Sequence, residues 1–159
     1  MHAIAFKGRS MGACIGVILV ILFVSSALAL SPRIAQVEVV SGQVSVERGG
    51  TRLTVKVGDP VYEKDLIQTG ADGSIGITFI DNTVMSAGPN SEVSLENYRF
   101  DSNNFNGSML ADLRKGTLSI VSGDIAKSSP QAMKIKTPGA ILGVRGTHFA
   151  VFVVQVPPK

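Results

Sequence analysis

Hydrophobic residues recur at every second position along most of this chain, and the runs are short. Val37 and Val39 alternate with Gln36 and Glu38, and Val44 and Val46 with Ser45 and Glu47. Leu53, Val55 and Val57 continue the period. It returns at Ile75, Ile77 and Phe79, at Val93 and Leu95, at Leu118 and Ile120, at Met133 and Ile135, and at Phe149, Val151 and Val153. Side chains two apart share one face of a strand, so each run predicts one buried and one wet face. Turn residues stand between the runs. Gly49-Gly50 offers a two-residue hairpin with free access to positive φ. Ala71-Asp72-Gly73, Asp81-Asn82, Gly88-Pro89-Asn90, Asn106-Gly107 and Ser122-Gly123 favour reversal. Only Met109 to Lys115 has a pattern compatible with a helical turn. The expected class is all-β, a sandwich or jelly-roll-like domain. A β-solenoid is the alternative, although no strict repeat is present.

The first residues break this pattern. Lys7 and Arg9 precede an uncharged apolar run from Met11 to Val24, followed by Ser25-Ser26 and the small-x-small site Ala27-Leu28-Ala29. These are the three parts of a secretory signal, so residues 1–29 are expected to be removed and 30–159 to form one β domain with its core at about 37–154. An uncleaved membrane anchor is the alternative, but the run is shorter than the roughly 20 residues of a spanning helix. Cys14, the single cysteine, lies near the start of the run rather than after it, which disfavours lipid attachment. The processed chain would carry no disulfide, leaving apolar burial to stabilise it.

Charge changes with processing. The formal charge of +3 includes Lys7 and Arg9; without them 13 basic face 12 acidic residues, a formal +1. These charges are scattered, whereas nucleic-acid binding calls for clustered Lys and Arg. No nucleic acid is expected as a partner.

Two blocks go beyond a generic β pattern. Val57 to Gly70 reads V-G-D-P-V-Y-E-K-D-L-I-Q-T-G, continuing through Ile77-Thr78-Phe79-Ile80-Asp81-Asn82-Thr83 to Gly88-Pro89-Asn90-Ser91-Glu92-Val93. The second block is Ile135-Lys136-Thr137-Pro138-Gly139-Ala140, then Gly143-Val144-Arg145-Gly146-Thr147-His148-Phe149. Together they resemble the FecR domain family, best known as the periplasmic portion of sigma-factor regulators that sense outer-membrane receptors. The resemblance covers roughly Val37 to Val154. It implies a sensing and protein-contact module with no catalysis and no cofactor. Only about ten residues precede the apolar run, too few for even a small folded domain. The expectation is therefore the outer module without the cytoplasmic sigma-binding part.

Physical roles stand beside the resemblance. Gly58-Asp59 and Gly70 to Gly73 read as corners, and turn capping is the expected role of Asp59, Asp65 and Asp81. Thr69 and Ser91 belong to the same motif. Thr137-Pro138 reads as a strand end, because proline denies a ladder donor. Gly143 and Gly146 allow a bend before the last strand, which holds Thr147 and Phe149. Arg145, with five donors in a fixed fork, is the first candidate for ligand or partner contact. His148 is the second; it is expected to face solvent, opposite Phe149.

Signals for chemistry are thin. His148 would be the one histidine left after processing, and zinc needs several converging ligands, so no metal is expected. No G-x-S-x-G elbow is present. In Asp101 to Gly107 a calcium-loop reading fails because Phe105 occupies a ligand position and the glycine is one place late; a hairpin loop is expected. The chain is thus read as a non-enzymatic periplasmic or cell-envelope domain whose partner is another envelope protein. Membrane contact would come only through an uncleaved signal. An envelope structural or glycan-binding role is the alternative. The Phe149 to Val154 strand leaves an edge open to pairing, with a partner strand or self-association as the two alternatives.

Overall fold

The computed structural model describes residues 31–129, 131–144 and 148–154, so the expected signal segment lies outside the described residues. Twelve strands follow in chain order. They are β1 (Ala35–Ser41), β2 (Val44–Arg48), β3 (Thr51–Thr54), β4 (Pro60–Val61), β5 (Leu66–Thr69) and β6 (Ser74–Phe79). After them come β7 (Val84–Ala87), β8 (Glu92–Asp101), β9 (Asn106–Val121), the short helix α1 (Asp124–Ser128), β10 (Met133–Lys136), β11 (Ile141–Gly143) and β12 (His148–Val153). All-β is the class observed. Among the described residues no helix is long and apolar enough to cross a membrane.

The strands join into one curled sheet in the order β3-β2-β5-β8-β9-β7-β6-β1-β4. Its pairings are antiparallel except for β10, which runs parallel to β9 and carries β11. This order is unlike the parallel coils of a solenoid. The curl depends on β9, whose 16 residues serve two sets of neighbours. Its first part pairs with β8 and β10, and its last part, Gly116 to Val121, with β7 and β12. The period-two residues of both parts turn inward. Val37, Ile77, Met85, Leu118 and Ile120 meet Val46, Ile67, Val93, Leu113 and Ile135 in one core cluster. Each such side chain contributes about 1.5–3 kcal/mol through burial.

Three departures from the expected pattern have local causes. The register of β1 against β6 shifts between Val37 and Val39, and this bulge turns Val39 out to 58 % exposure. Leu53 and Val57 are exposed while Val55 alone is buried, because β3 is an edge strand paired with β2 and the chain then turns at Gly58. Met109 to Lys115 is strand within β9, not a helical turn; α1 is the one helix among the described residues. Asn106-Gly107 opens β9, and the reversal occupies residues 102–105, closed by the Asp101–Asn106 pair.

A polar network anchors α1 to the sheet. The Asp81 carboxylate is fully buried and accepts from Tyr98 Oη at 2.9 Å, Thr83 Oγ1 at 2.7 Å, and the backbone N–H groups of Thr83 and Ile125 at 3.3 Å each. The Thr83 hydroxyl in turn accepts from Gly123 N–H at 3.0 Å. Burial, then the adjacent Asp81 charge, holds the Tyr98 phenol proton well above the ordinary tyrosine range. An unfolded chain would lose that proton first, near pH 10. Stability from this group is therefore complete below about pH 10 and falls as pH rises beyond it. Tyr98→Phe is expected to be less stable at neutral pH by about 1–3 kcal/mol, through the lost bond to a carboxylate. Its unfolding midpoint should also fall less steeply between about pH 9.5 and 11.5 than that of the parent. Parallel alkaline limbs in urea titrations would remove Tyr98 from this role.

Candidate interaction surface

Hydrogen-bond direction along β9 determines what β12 presents. Gly88 N–H donates to Thr117 C=O at 3.1 Å, so the backbone groups of Thr117 point toward β7. Backbone direction alternates along a strand, so Leu118 and Ile120 point the other way, toward β12. Their register partners are Val151 and Phe149. The N–H and C=O groups of Phe149, Val151 and Val153 are therefore directed into the sheet. Those of His148, Ala150 and Phe152 point outward, along an edge that has no strand beside it among the described residues. The side chains alternate too: Phe149, Val151 and Val153 pack half-buried against the core, while His148, Ala150 and Phe152 are exposed.

The sheet face continuous with these exposed side chains carries no charged residue in the two rows that lead from β12 across β9, β7 and β6; exposed Glu38 and Arg33 stand at its far side, beside Thr78. In register across it, Ala150 pairs with Ser119, Ser119 with Ser86, and Ser86 with Gly76. One row along, His148 pairs with Val121, Val121 with Val84, and Val84 with Thr78. A Cβ at Gly76 would stand 3.8 Å from Ser86 Oγ and 3.5 Å from Val39 Cβ, which puts exposed Val39 on this face as well. Phe152 is 68 % exposed at its margin. The opposite part of the curled sheet differs. There Arg52, Glu47, Leu66, Ser94, Asp112 and Lys136 follow one another across the strands. Lys136 meets Asp112 at 3.1 Å, and Arg114 meets Glu92 at 3.1 Å. One outer face is a mosaic of ion pairs; the other, next to β12, is small, β-branched and neutral.

The motif residues hold this arrangement in place. Thr69 Oγ1 donates to Gly88 C=O at 2.6 Å and accepts from Ser91 N–H at 2.8 Å. Ser91 Oγ accepts from Thr117 N–H at 2.9 Å, and Gly70 C=O accepts from Asn90 N–H at 2.9 Å. The Thr69–Ser91 pair thus clamps β9 where it passes from one half of the sheet to the other, next to Gly116. Asp59 caps its turn by accepting from Lys56 N–H at 2.8 Å, beside Gly58 at φ +90°. Thr137 and Ala140 close a tight exposed turn around Pro138-Gly139 between β10 and β11. Gly143 ends β11 with open space around it.

Asp65 does more than cap. It accepts from Tyr62 N–H at 2.9 Å, and its buried carboxylate takes both prongs of Arg48, Nε at 2.8 Å and Nη2 at 2.7 Å. The bond to Asp65 raises the affinity of the Arg48 guanidinium for its proton, against the opposing effect of burial. That guanidinium also lies 4.3 Å from the centre of the Tyr62 ring and donates to Pro60 C=O. Sequence reasoning passed over Arg48, since β2 and the turn before β5 are brought together only by the sheet. Arg48 lines a cleft of about 270 Å³ floored by Val37, Val46, Val55 and Val61, with its Nε and Nη2 donors already engaged by Asp65 and Pro60.

Of the two proposed contact residues, His148 faces solvent as expected, on β12 with Val121 as its register partner. Arg145 lies outside the described residues, as do Gly146 and Thr147. Among the described residues, no three His, Cys, Asp or Glu side chains gather as metal ligands would. Tyr98 is closed to sugar stacking, being buried and stacked on Phe79 with centroids 5.2 Å apart, and Arg48 lies over one face of the half-buried Tyr62.

A family model described as FecR protein matches residues 65–156. No curated protein and no solved structure matches the chain.

Proposed function

Because this chain belongs to the FecR protein family, we propose that it is a sensing or signalling module outside the cytoplasm that works by binding another envelope protein, without catalysis. One observation carries the reading: the open β12 edge borders a neutral face of small residues, where a second flat surface or an added strand can approach closely. Burying a charged face would require each ion to be paired; burying Ser86, Ser119, Val84 and Ala150 involves no such penalty. Export rests on the expected signal at residues 1–29. The glycan-binding alternative has Tyr62 alone as a phenol ring within reach of solvent, with Arg48 over one of its faces.

The test places a photo-crosslinking residue at exposed Ser86 of the full chain in its native envelope, with Glu47 on the charged part of the sheet as control. The expected result is one adduct of defined mass from Ser86 and none from Glu47. Equal labelling from both positions would count against the reading. An adduct of twice the chain's own mass would identify a second copy rather than a different partner.

A further inference from the structure

We propose that the β12 edge pairs with the β12 edge of a second copy, antiparallel about a two-fold axis through Ala150; this rests on the reading of β12 as an interaction edge. The outward backbone groups are those of His148, Ala150 and Phe152, spaced evenly about Ala150. In the symmetric register Ala150 faces Ala150 of the other copy, and His148 faces Phe152. All three edge residues of each copy then meet an edge residue of the other. Exchange at these pairs gives about six hydrogen bonds.

The side chains suit that register. Ala150, the smallest of the three, lies on the axis, where identical side chains must face each other and two methyl groups do so without a clash. His148 and Phe152, one ring on each side, meet as cross-strand ring pairs, the kind that stabilise antiparallel sheets. On the inner side Phe149 faces Val151 of the other copy. Both are half-buried in the single chain, packed against the core, and an added strand would cover them further.

Charge favours a copy over an unrelated strand. β12 contains no charged residue and no proline, and its neighbours across the sheet, Thr117, Ser119 and Val121, are neutral. Edges that avoid self-pairing commonly carry lysine, proline or an inward charge, and β12 has none of these. The β3 edge at the far end of the sheet, by contrast, bears Arg52. Two β12 edges meet with no like-charge repulsion, and a self-complementary patch is what a two-fold dimer requires. Pairing would also join the two neutral faces into one larger surface.

The experiment uses protein made from the complete reading frame and purified as the cell leaves it. Sedimentation equilibrium over a hundredfold concentration range should show a reversible monomer–dimer equilibrium. Ala150→Cys should give a disulfide-linked dimer under mild oxidation, because paired Cα atoms at such a site lie about 5.5 Å apart. Ser119→Cys and the unsubstituted chain should give none. Ala150→Lys sets two like charges face to face on the axis, and Ala150→Pro removes an outward N–H that β9 does not use. Each should weaken the dimer at least tenfold with an unchanged far-ultraviolet spectrum. If Ala150→Pro disturbs the fold, Ala150→Lys still decides.

Monomer at every concentration overturns the proposal. So does a dimer indifferent to Ala150→Lys, or failure of the Ala150→Cys variant to form a disulfide-linked dimer. These results leave the binding of another protein standing, since the Ser86 adduct reports on that separately.

Discussion

Asp81→Ala is expected to destabilise the domain by about 3–5 kcal/mol, the cost of orphaning several buried donors at once. Four groups donate to this carboxylate: the Tyr98 and Thr83 hydroxyls and the backbone N–H groups of Thr83 and Ile125. Alanine leaves all four without their acceptor in a site where Asp81 and Thr83 are fully buried. The N–H of Ile125 belongs to α1, so the loss should also loosen the helix from the sheet. In urea unfolding the variant should lose roughly a fifth or more of a typical domain stability of about 5–15 kcal/mol. Asp81→Asn keeps one acceptor oxygen and should fall between the two. A loss below about 1 kcal/mol for Asp81→Ala would mean that water replaces the carboxylate and that the network contributes little.

Gly116→Ala is the second large effect, with an expected loss of about 2–4 kcal/mol, combining left-handed backbone strain with overpacking. Gly116 has φ +86°, and a Cβ there would collide with Ser91 Oγ and stand 2.5 Å from Ser91 Cα. The second contact matters more. Trimming the Ser91 hydroxyl cannot relieve a clash with backbone, so Ser91→Ala should not rescue the variant. Because Gly116 lies where β9 leaves β8 for β7 and β12, the strain falls on the strand that positions the β12 edge. Gly139→Ala is the control. Nothing lies within 4 Å of a Cβ there, and its stability should change by less than about 1 kcal/mol. Thermal unfolding of the two variants side by side measures the difference; equal midpoints would show that β9 bends without needing a glycine.

Those two positions differ in how much of their role could be read along the chain. Asp81 beside Asn82 announces a turn, and Asp59 does only what that chemistry predicts, accepting from Lys56 N–H. Asp81 and Asp65 go further, because elements distant in sequence deliver Tyr98 and Ile125 to one and Arg48 to the other. Gly116 has no turn partner in the sequence; its requirement comes from Ser91, in the turn that leads into β8. The helix α1 gives little signal because a five-residue helix has no period to read, and contacts to Asp81 hold its start.

Alternation alone determined that this chain is all-β, which faces of most strands are buried, and that His148 looks outward while Phe149 looks in. A period of two is a local property: each residue's side is decided by its immediate neighbours. The ordered glycine, proline and threonine motifs carried the family in the same way. Register, edges and faces were decided only in three dimensions. Val39 turned outward because β1 slips against β6, and Leu53 because β3 has one neighbour. The neutral surface exists because residues from β6, β7, β9 and β12, none of them unusual where it stands, are placed side by side. Pairing between distant strands sets those positions, and its energy depends on which backbone groups meet across the sheet.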